Sequence, residues 1–242
     1  MLAFIRIILI FFYFLLINSI LILVCVFRPF HRNNVYVAGK LYSSISFLLG
    51  LKLELRIPPE VAEGGPFVFI ANHQNSYDLL TICAAAQKGT VTVGKKSLIW
   101  IPVFGWVYWL SGNILIDRKD SGKAQDTLLD TVKKIKNHKL SVWFFPEGTR
   151  SYGRGLLPFK SGAFRLAKAC NEPIVTIAAS NLHNKIKLNR WDNGTLLIEA
   201  SAPRLMDDTK GTKAWVGYFH QQLSEQIAKL DAELAQRSVK SQ

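Results

Sequence analysis

The chain opens on an almost unbroken apolar run. From Ile7 to Phe27 the sequence IILIFFYFLLINSILILVCVF carries no charge, and roughly 20 apolar residues in a helix match the ~30 Å hydrocarbon core of a bilayer. Asn18 and Ser19 interrupt the run near its middle, so crossing the bilayer and dipping into one leaflet both stay open. A second stretch, VYVAGKLYSSISFLLG from Val35 to Gly50, places Val37, Leu41, Ile45 and Leu48 at helical spacing. Residues 1–50 are therefore expected to form a membrane-associated pair of helices. The sequence VCVFRPFHRN offers no small-residue cleavage site, which favours a retained anchor over a signal peptide.

After residue 50 the pattern changes to short apolar runs separated by amphipathic segments of helix length. The runs are LKLELRI (Leu51 to Ile57), PFVFIA (Pro66 to Ala71), TVTV (Thr90 to Val93), NILI (Asn113 to Ile116), SVWFF (Ser141 to Phe145), PIVTIAA (Pro173 to Ala179) and TLLIEA (Thr195 to Ala200). Several are apolar throughout, as strands covered on both faces must be. Helices are expected over Gly122 to His138, Ser161 to Cys170 and Lys213 to Arg237. The last carries Trp215, Phe219, Leu223, Ile227, Leu230 and Leu234 as one stripe. Residues 51–242 thus read as one α/β domain with a largely parallel sheet covered by helices.

Charge narrows the partners. Lys and Arg number 30 against 17 Asp and Glu, a net +13, which points to an anionic partner. Beside an apolar anchor, phospholipid is favoured over nucleic acid, for which only the charge speaks. The basic run KKIKNHK (Lys133 to Lys139) reads as the solvated face of a helix. Arg28, His31, Arg32 and Lys40 follow the anchor whereas only Arg6 precedes it, which favours a cytoplasmic position for the rest. Cys25, Cys83 and Cys170 lack paired or metal-ligand spacing and read as reduced core residues. His31, His73, His138 and His183 likewise show no ligand spacing, which weakens a metal-dependent hydrolase and leaves the metal expectation at none.

Three polar constellations each follow an expected strand. NHQNSYD (Asn72 to Asp78) follows PFVFIA, Asp117 and Arg118 follow NILI, and PEGTRS (Pro146 to Ser151) follows SVWFF. In a parallel sheet the carboxyl ends of the strands share one edge, where such folds place their sites. On a continuous helix His73 and Asp78, five apart, would be separated by about 140°. A turn is needed for them to meet, with Asn75 or Ser76 as cap and a helix starting near Ser76. A histidine can then take up and release a proton near neutral pH while the carboxylate fixes its tautomer. Ser76, lying between the two, is poorly placed as a nucleophile. Arg150 and Arg118 supply guanidinium groups suited to phosphate, and Lys160 in GRGLLPFKSGAF (Gly153 to Phe164) adds a cation. Thr149 offers a hydroxyl, Gly148 lets a ligand approach the backbone, and Glu147 can orient an arginine or accept a bond from a substrate hydroxyl.

The ordered set NHQNSYD, GNILIDR, FPEGTRS and PFKSGAF, after an apolar N-terminus, resembles the glycerolipid acyltransferase family over most of Lys52 to Ala202. The resemblance implies a catalytic dyad at His73 and Asp78. It also implies acceptor binding by Arg118, Glu147, Gly148, Thr149 and Arg150. The implied reaction moves a fatty acyl group from acyl-CoA or acyl carrier protein to lysophosphatidic acid, giving phosphatidic acid without a cofactor. The implied setting is a bacterial inner membrane, in contact with membrane lipids, with no nucleic-acid partner. One departure stands out: Thr176 occupies a position that is usually proline in the family's PIV block, a block implied to shape acyl-chain binding. A non-catalytic anionic-lipid-binding protein is the reading from another class, and it would have no use for His73.

Overall fold

The computed structural model describes residues 1–117 and 131–240. All seven apolar runs form strands: β1 Lys52–Arg56, β2 Val68–Ala71, β3 Thr90–Lys95, β4 Ile114–Ile116, β5 Ser141–Phe144, β6 Ile174–Ala179 and β7 Thr195–Ala200. They form one sheet in the order β1-β7-β6-β2-β5-β3-β4. β6, β2, β5, β3 and β4 run parallel, while β7 is antiparallel to β6 and carries β1 parallel to itself. The ends of β2, β4 and β5 therefore share one edge, as expected of a largely parallel sheet.

The period-two geometry of a strand divides β2 between two cores. Phe67, Phe69 and Ala71 join Leu49, Val61, Trp143, Val175 and Ile177 on one face. Val68 and Ile70 join Ile135, Val142, Phe164, Trp215 and Phe219 on the other. Every residue of β2 and β6 is buried, which accounts for their unbroken apolar sequence.

The helices are α1 Leu2–Phe27, α2 Asn34–Leu48, α3 Pro59–Ala62, α4 Phe104–Leu110, α5 over 131–138, α6 Gly162–Cys170 and α7 Thr212–Lys240. α6 stops at Asn171, which adopts a left-handed conformation (φ 58°), with Pro173 two residues on. The expected helix over Gly122 to His138 is present from residue 131; its earlier part, like Arg118, lies outside the described residues. In α5 Ile135 is buried while Lys133, Lys134, Lys136 and His138 are exposed, the solvated basic face that the sequence suggests.

Of the expected pair of membrane helices, α1 alone among the described residues is long and apolar enough to cross a bilayer. α2 is a packing helix. Ala38, Tyr42 and Ile45 meet Ile17 and Leu21 of α1, and its far side rests on the residues that follow β2. The buried amide of Asn18, inside the apolar run, accepts the Tyr42 hydroxyl proton at 2.9 Å and donates to Phe14 O at 2.7 Å. A polar group is thus satisfied between the two helices, as a buried amide must be.

Thr176, the departure noted in the sequence, lies fully buried in β6 and donates its hydroxyl to Gln226 Oε1 of α7 at 2.7 Å. It holds a helix to the sheet.

Candidate active site

The site begins where β2 ends. Asn72 continues the β2–β6 pairing by side chain: its Nδ2 donates to Ala179 O and its Oδ1 accepts the Ala179 N–H, both at 2.9 Å. Two residues on, Gln74 Nε2 donates to Ser180 O at 2.8 Å and its Oε1 accepts the Leu182 N–H at 2.7 Å. These two buried amides clamp the backbone on either side of His73. Sequence reasoning missed both as site residues, although both stand inside the quoted motif.

The expected helix from Ser76 is instead two short 3₁₀ segments, Ser76–Leu80 and Ile82–Ala85. The cause is local. Asn75 caps the first segment by accepting the Tyr77 N–H at 2.8 Å, and Asp78 Oδ2 turns back to accept the N–H groups of Gln74 at 2.7 Å and Asn75 at 3.2 Å. The Thr81 hydroxyl donates to Tyr77 O, competing with the regular backbone ladder. This tight turn brings Asp78 Oδ2 within 2.6 Å of His73 Nδ1. With Nδ1 so engaged, the tautomer carries its hydrogen toward Asp78 and leaves Nε2 as the acceptor.

The neighbouring strand completes the imidazole's setting. Phe145, directly after β5, stacks on the His73 ring with centroids 4.0 Å apart and planes 17° from parallel. Glu147 is almost fully buried. Its Oε1 accepts the His73 N–H at 2.6 Å and its Oε2 accepts the Leu157 N–H at 2.9 Å. Burial pushes its carboxyl up from the ordinary value, and the two N–H bonds oppose that rise. Both oxygens accept the protein's own backbone N–H groups, so the residue braces the loop. His73 O and Gln74 O in turn accept the N–H groups of Ser151 and Tyr152, both at 2.8 Å. The loops after β2 and β5 are thus laced together.

Gly148 has φ +72°, where an L side chain is strained, and an added Cβ would lie 2.8 Å from Lys160 Nζ. The ammonium therefore sits against the glycine backbone. Thr149 and Arg150 are exposed beside it, and Arg150 Nη1 donates to the Tyr152 phenol at 3.3 Å. Arg150 draws that phenol below its ordinary pKa. His73, Asp78, Glu147, Gly148, Thr149, Arg150 and Lys160 are all brought to one sheet edge.

A cavity of ≈ 920 Å³ opens here. His73, Thr149 and Arg150 line its polar end, and Ala38, Phe104 and Val107 line its apolar depth. Cys83 also lines it, but burial and then the Asp78 charge push its thiol up to about 12, and the thiol donates to Leu79 O at 2.8 Å. It is a protonated donor, unsuited to nucleophilic work. Among the described residues no group of three His, Cys, Asp or Glu side chains is placed to hold a metal ion. The arrangement presents a proton acceptor, the Arg150 guanidinium and an apolar lining to one cavity, with Lys160 behind Gly148.

The acyltransferase family model matches residues 52–180. The chain belongs to the acyltransferase family. It is 44% identical over 217 residues to the 1-acyl-sn-glycerol-3-phosphate acyltransferases of Salmonella typhimurium and Escherichia coli, covering 88% of this chain and of each relative. The human 1-acyl-sn-glycerol-3-phosphate acyltransferase alpha is 33% identical over 182 residues, covering 74% of this chain and 64% of that one. The fold matches the crystal structure of the 1-acyl-sn-glycerophosphate (LPA) acyltransferase PlsC from Thermotoga maritima. That match has a TM-score of 0.72 at 17% identity over 96% of this chain and all of the other.

Proposed function

We propose that this acyltransferase moves a fatty acyl group from a thioester, on coenzyme A or acyl carrier protein, to the sn-2 hydroxyl of lysophosphatidic acid, giving phosphatidic acid. The observation that carries the reading is the His73–Asp78 pair at the boundary between a cationic mouth and an apolar cavity. Lysophosphatidic acid has that polarity: a phosphate, a hydroxyl and an alkyl chain. The 44% identity to relatives named for this reaction supports it.

In this reading His73 Nε2 takes the proton of the acceptor hydroxyl as its oxygen attacks the thioester carbonyl, and Asp78 stabilises the imidazolium. The tetrahedral intermediate collapses, the C–S bond breaks, and the imidazolium returns its proton to the departing thiolate. A thiolate leaves readily, so no protein nucleophile is needed. Arg150 and Lys160, with Arg118, hold the phosphate. Glu147 acts through the His73 backbone.

Residues 1–50 would form the membrane-associated part. α1 is tied to the α/β domain at both ends. Near its start, Arg6 donates to the carbonyls of Leu188 (3.1 Å), Trp191 (2.8 Å) and Arg190, and the Ala3 N–H reaches Asn189 Oδ1 at 2.9 Å. Past its end, the Phe30 N–H donates to Leu110 O at 2.8 Å. A helix of about 39 Å held this way lies along the domain, which favours immersion in one leaflet over a crossing, and the excess of cations after α1 favours the cytoplasmic side.

The deciding assay incubates the purified full chain in detergent with labelled lysophosphatidic acid and either acyl-CoA or acyl carrier protein. Labelled phosphatidic acid is the expected product. Its absence with both donors overturns the reading.

A further inference from the structure

Six tryptophans occur in the chain, and the fold buries Trp143 and Trp215 in its cores. Three others behave differently. Trp100, Trp106 and Trp109 lie within about ten residues of each other and are 83%, 59% and 47% exposed. Trp100 ends a 3₁₀ segment, Lys96–Trp100, and Trp106 and Trp109 sit three apart on α4, so their side chains share a face. Phe30, itself 53% exposed, packs edge-on against Trp109 with centroids 5.1 Å apart. A folded protein rarely leaves so much aromatic surface to water within one short segment.

The surface borders α1. α4 packs against α1, whose exposed side near that contact carries Leu23, Val26 and Phe27. Exposed Lys96 precedes the tryptophans, while Lys95 beside it lines the cavity. Indole side chains favour the boundary between acyl chains and headgroups, and a flanking lysine favours anionic headgroups. Meanwhile the opposite side of the same segment, through Leu98, Phe104 and Val107, is a wall of the ≈ 920 Å³ cavity.

We propose that residues 96–110 are a second bilayer contact, made by the α/β domain itself, in which Trp100, Trp106 and Trp109 sit in the interface of an anionic phospholipid bilayer and the cavity wall behind them faces lipid. The inference rests on the reading that α1 is immersed in the same leaflet. Its consequence is that an alkyl chain can pass from bilayer to cavity around this segment without crossing bulk water.

The test uses the full chain on vesicles of phosphatidylethanolamine and phosphatidylglycerol, with or without bromine on the acyl chains, and reads tryptophan emission. Trp191, exposed near the start of α1, is first replaced (Trp191→Phe) in all samples. Bromolipid is expected to quench this chain, and adding Trp100→Phe and Trp106→Phe is expected to remove most of the quenched emission. Equal fractional quenching with and without those two substitutions overturns the proposal while leaving the α1 reading intact. Failure of the chain to sediment with vesicles overturns both. A change in oligomeric state in detergent caused by the two substitutions, with quenching unchanged, would assign the surface to a second copy of the chain and also overturn it.

Discussion

Glu147 Oε1 accepts the backbone N–H of His73 at 2.6 Å, across the gap between the loops that follow β2 and β5. The carboxylate's other oxygen holds Leu157, so one buried side chain sets both the height of the imidazole and the path of the chain toward Lys160. Glu147→Gln keeps the shape but turns one acceptor into a donor facing an N–H. An unsatisfied buried group costs about 1–3 kcal/mol. The expected outcome is a kcat lowered by about tenfold or more with the KM for lysophosphatidic acid changed far less. A rise confined to that KM would instead place the carboxylate on the substrate.

The His73–Asp78 contact makes a separate demand. General-base catalysis contributes ~10² to 10⁴-fold, so His73→Ala should lose at least that much activity while circular dichroism and melting stay close to the parent. Asp78→Asn should fall nearly as far, since its Oδ2 serves both the ring and the N–H groups of Gln74 and Asn75. Direct transfer leaves no acyl group on the enzyme. Intact-protein mass spectrometry after incubation with donor alone should therefore show the unmodified mass. An acyl adduct that passes to added lysophosphatidic acid would establish a covalent carrier instead.

What the sequence discloses follows from which interactions are local. The strands are legible because burial on both faces demands continuous apolar runs, and β2 and β6 read plainly for that reason. The direction of β7, antiparallel to β6, is not legible, because its largely apolar run satisfies either direction. The convergence of His73, Asp78 and Arg150 follows from the strand-then-polar-loop pattern. The 3₁₀ turn at Ser76–Leu80 does not, because apolar spacing in LLTICAAA fits a helix until the side chain of Asp78 competes for the backbone. The two hydrogen bonds of Glu147 were equally hidden: their donors are backbone groups, and backbone groups leave no mark in residue type.

Arg150 lines the cavity, and its guanidinium donates to the Tyr152 phenol at 3.3 Å. A lost hydrogen bond to a charged group is worth roughly 1.5–3 kcal/mol, or about ten- to a hundredfold. Arg150→Ala should raise the KM for lysophosphatidic acid by that factor and leave the KM for the acyl donor within about twofold. Lys160→Ala should act in the same direction. Equal effects on both substrates would mean that the loop, and not the phosphate contact, had been lost.

The edge of the sheet carries a pH dependence of its own. Arg56 of β1 donates to Glu233 Oε2 at 2.7 Å and to Glu54 Oε1 at 2.8 Å, and Arg237 of α7 donates to Glu54 Oε2 at 2.8 Å. Arg237 and then Arg56 hold the Glu54 carboxyl at about 2, and Arg56 and then Arg237 hold Glu233 at about 2, against an ordinary value of 4.5. Both folded-state values are depressed, so the stabilisation is fully present above about pH 4.5 and is lost as pH falls toward 2. All four side chains are partly solvated, which screens the pairs and keeps the effect modest. Arg56→Ala should lower the melting temperature at neutral pH and flatten its decline between pH 4.5 and pH 2, and high salt should shrink the gap from the parent chain. Melting curves of parent and variant that stay parallel through that window would show that the network contributes nothing to the docking of α7.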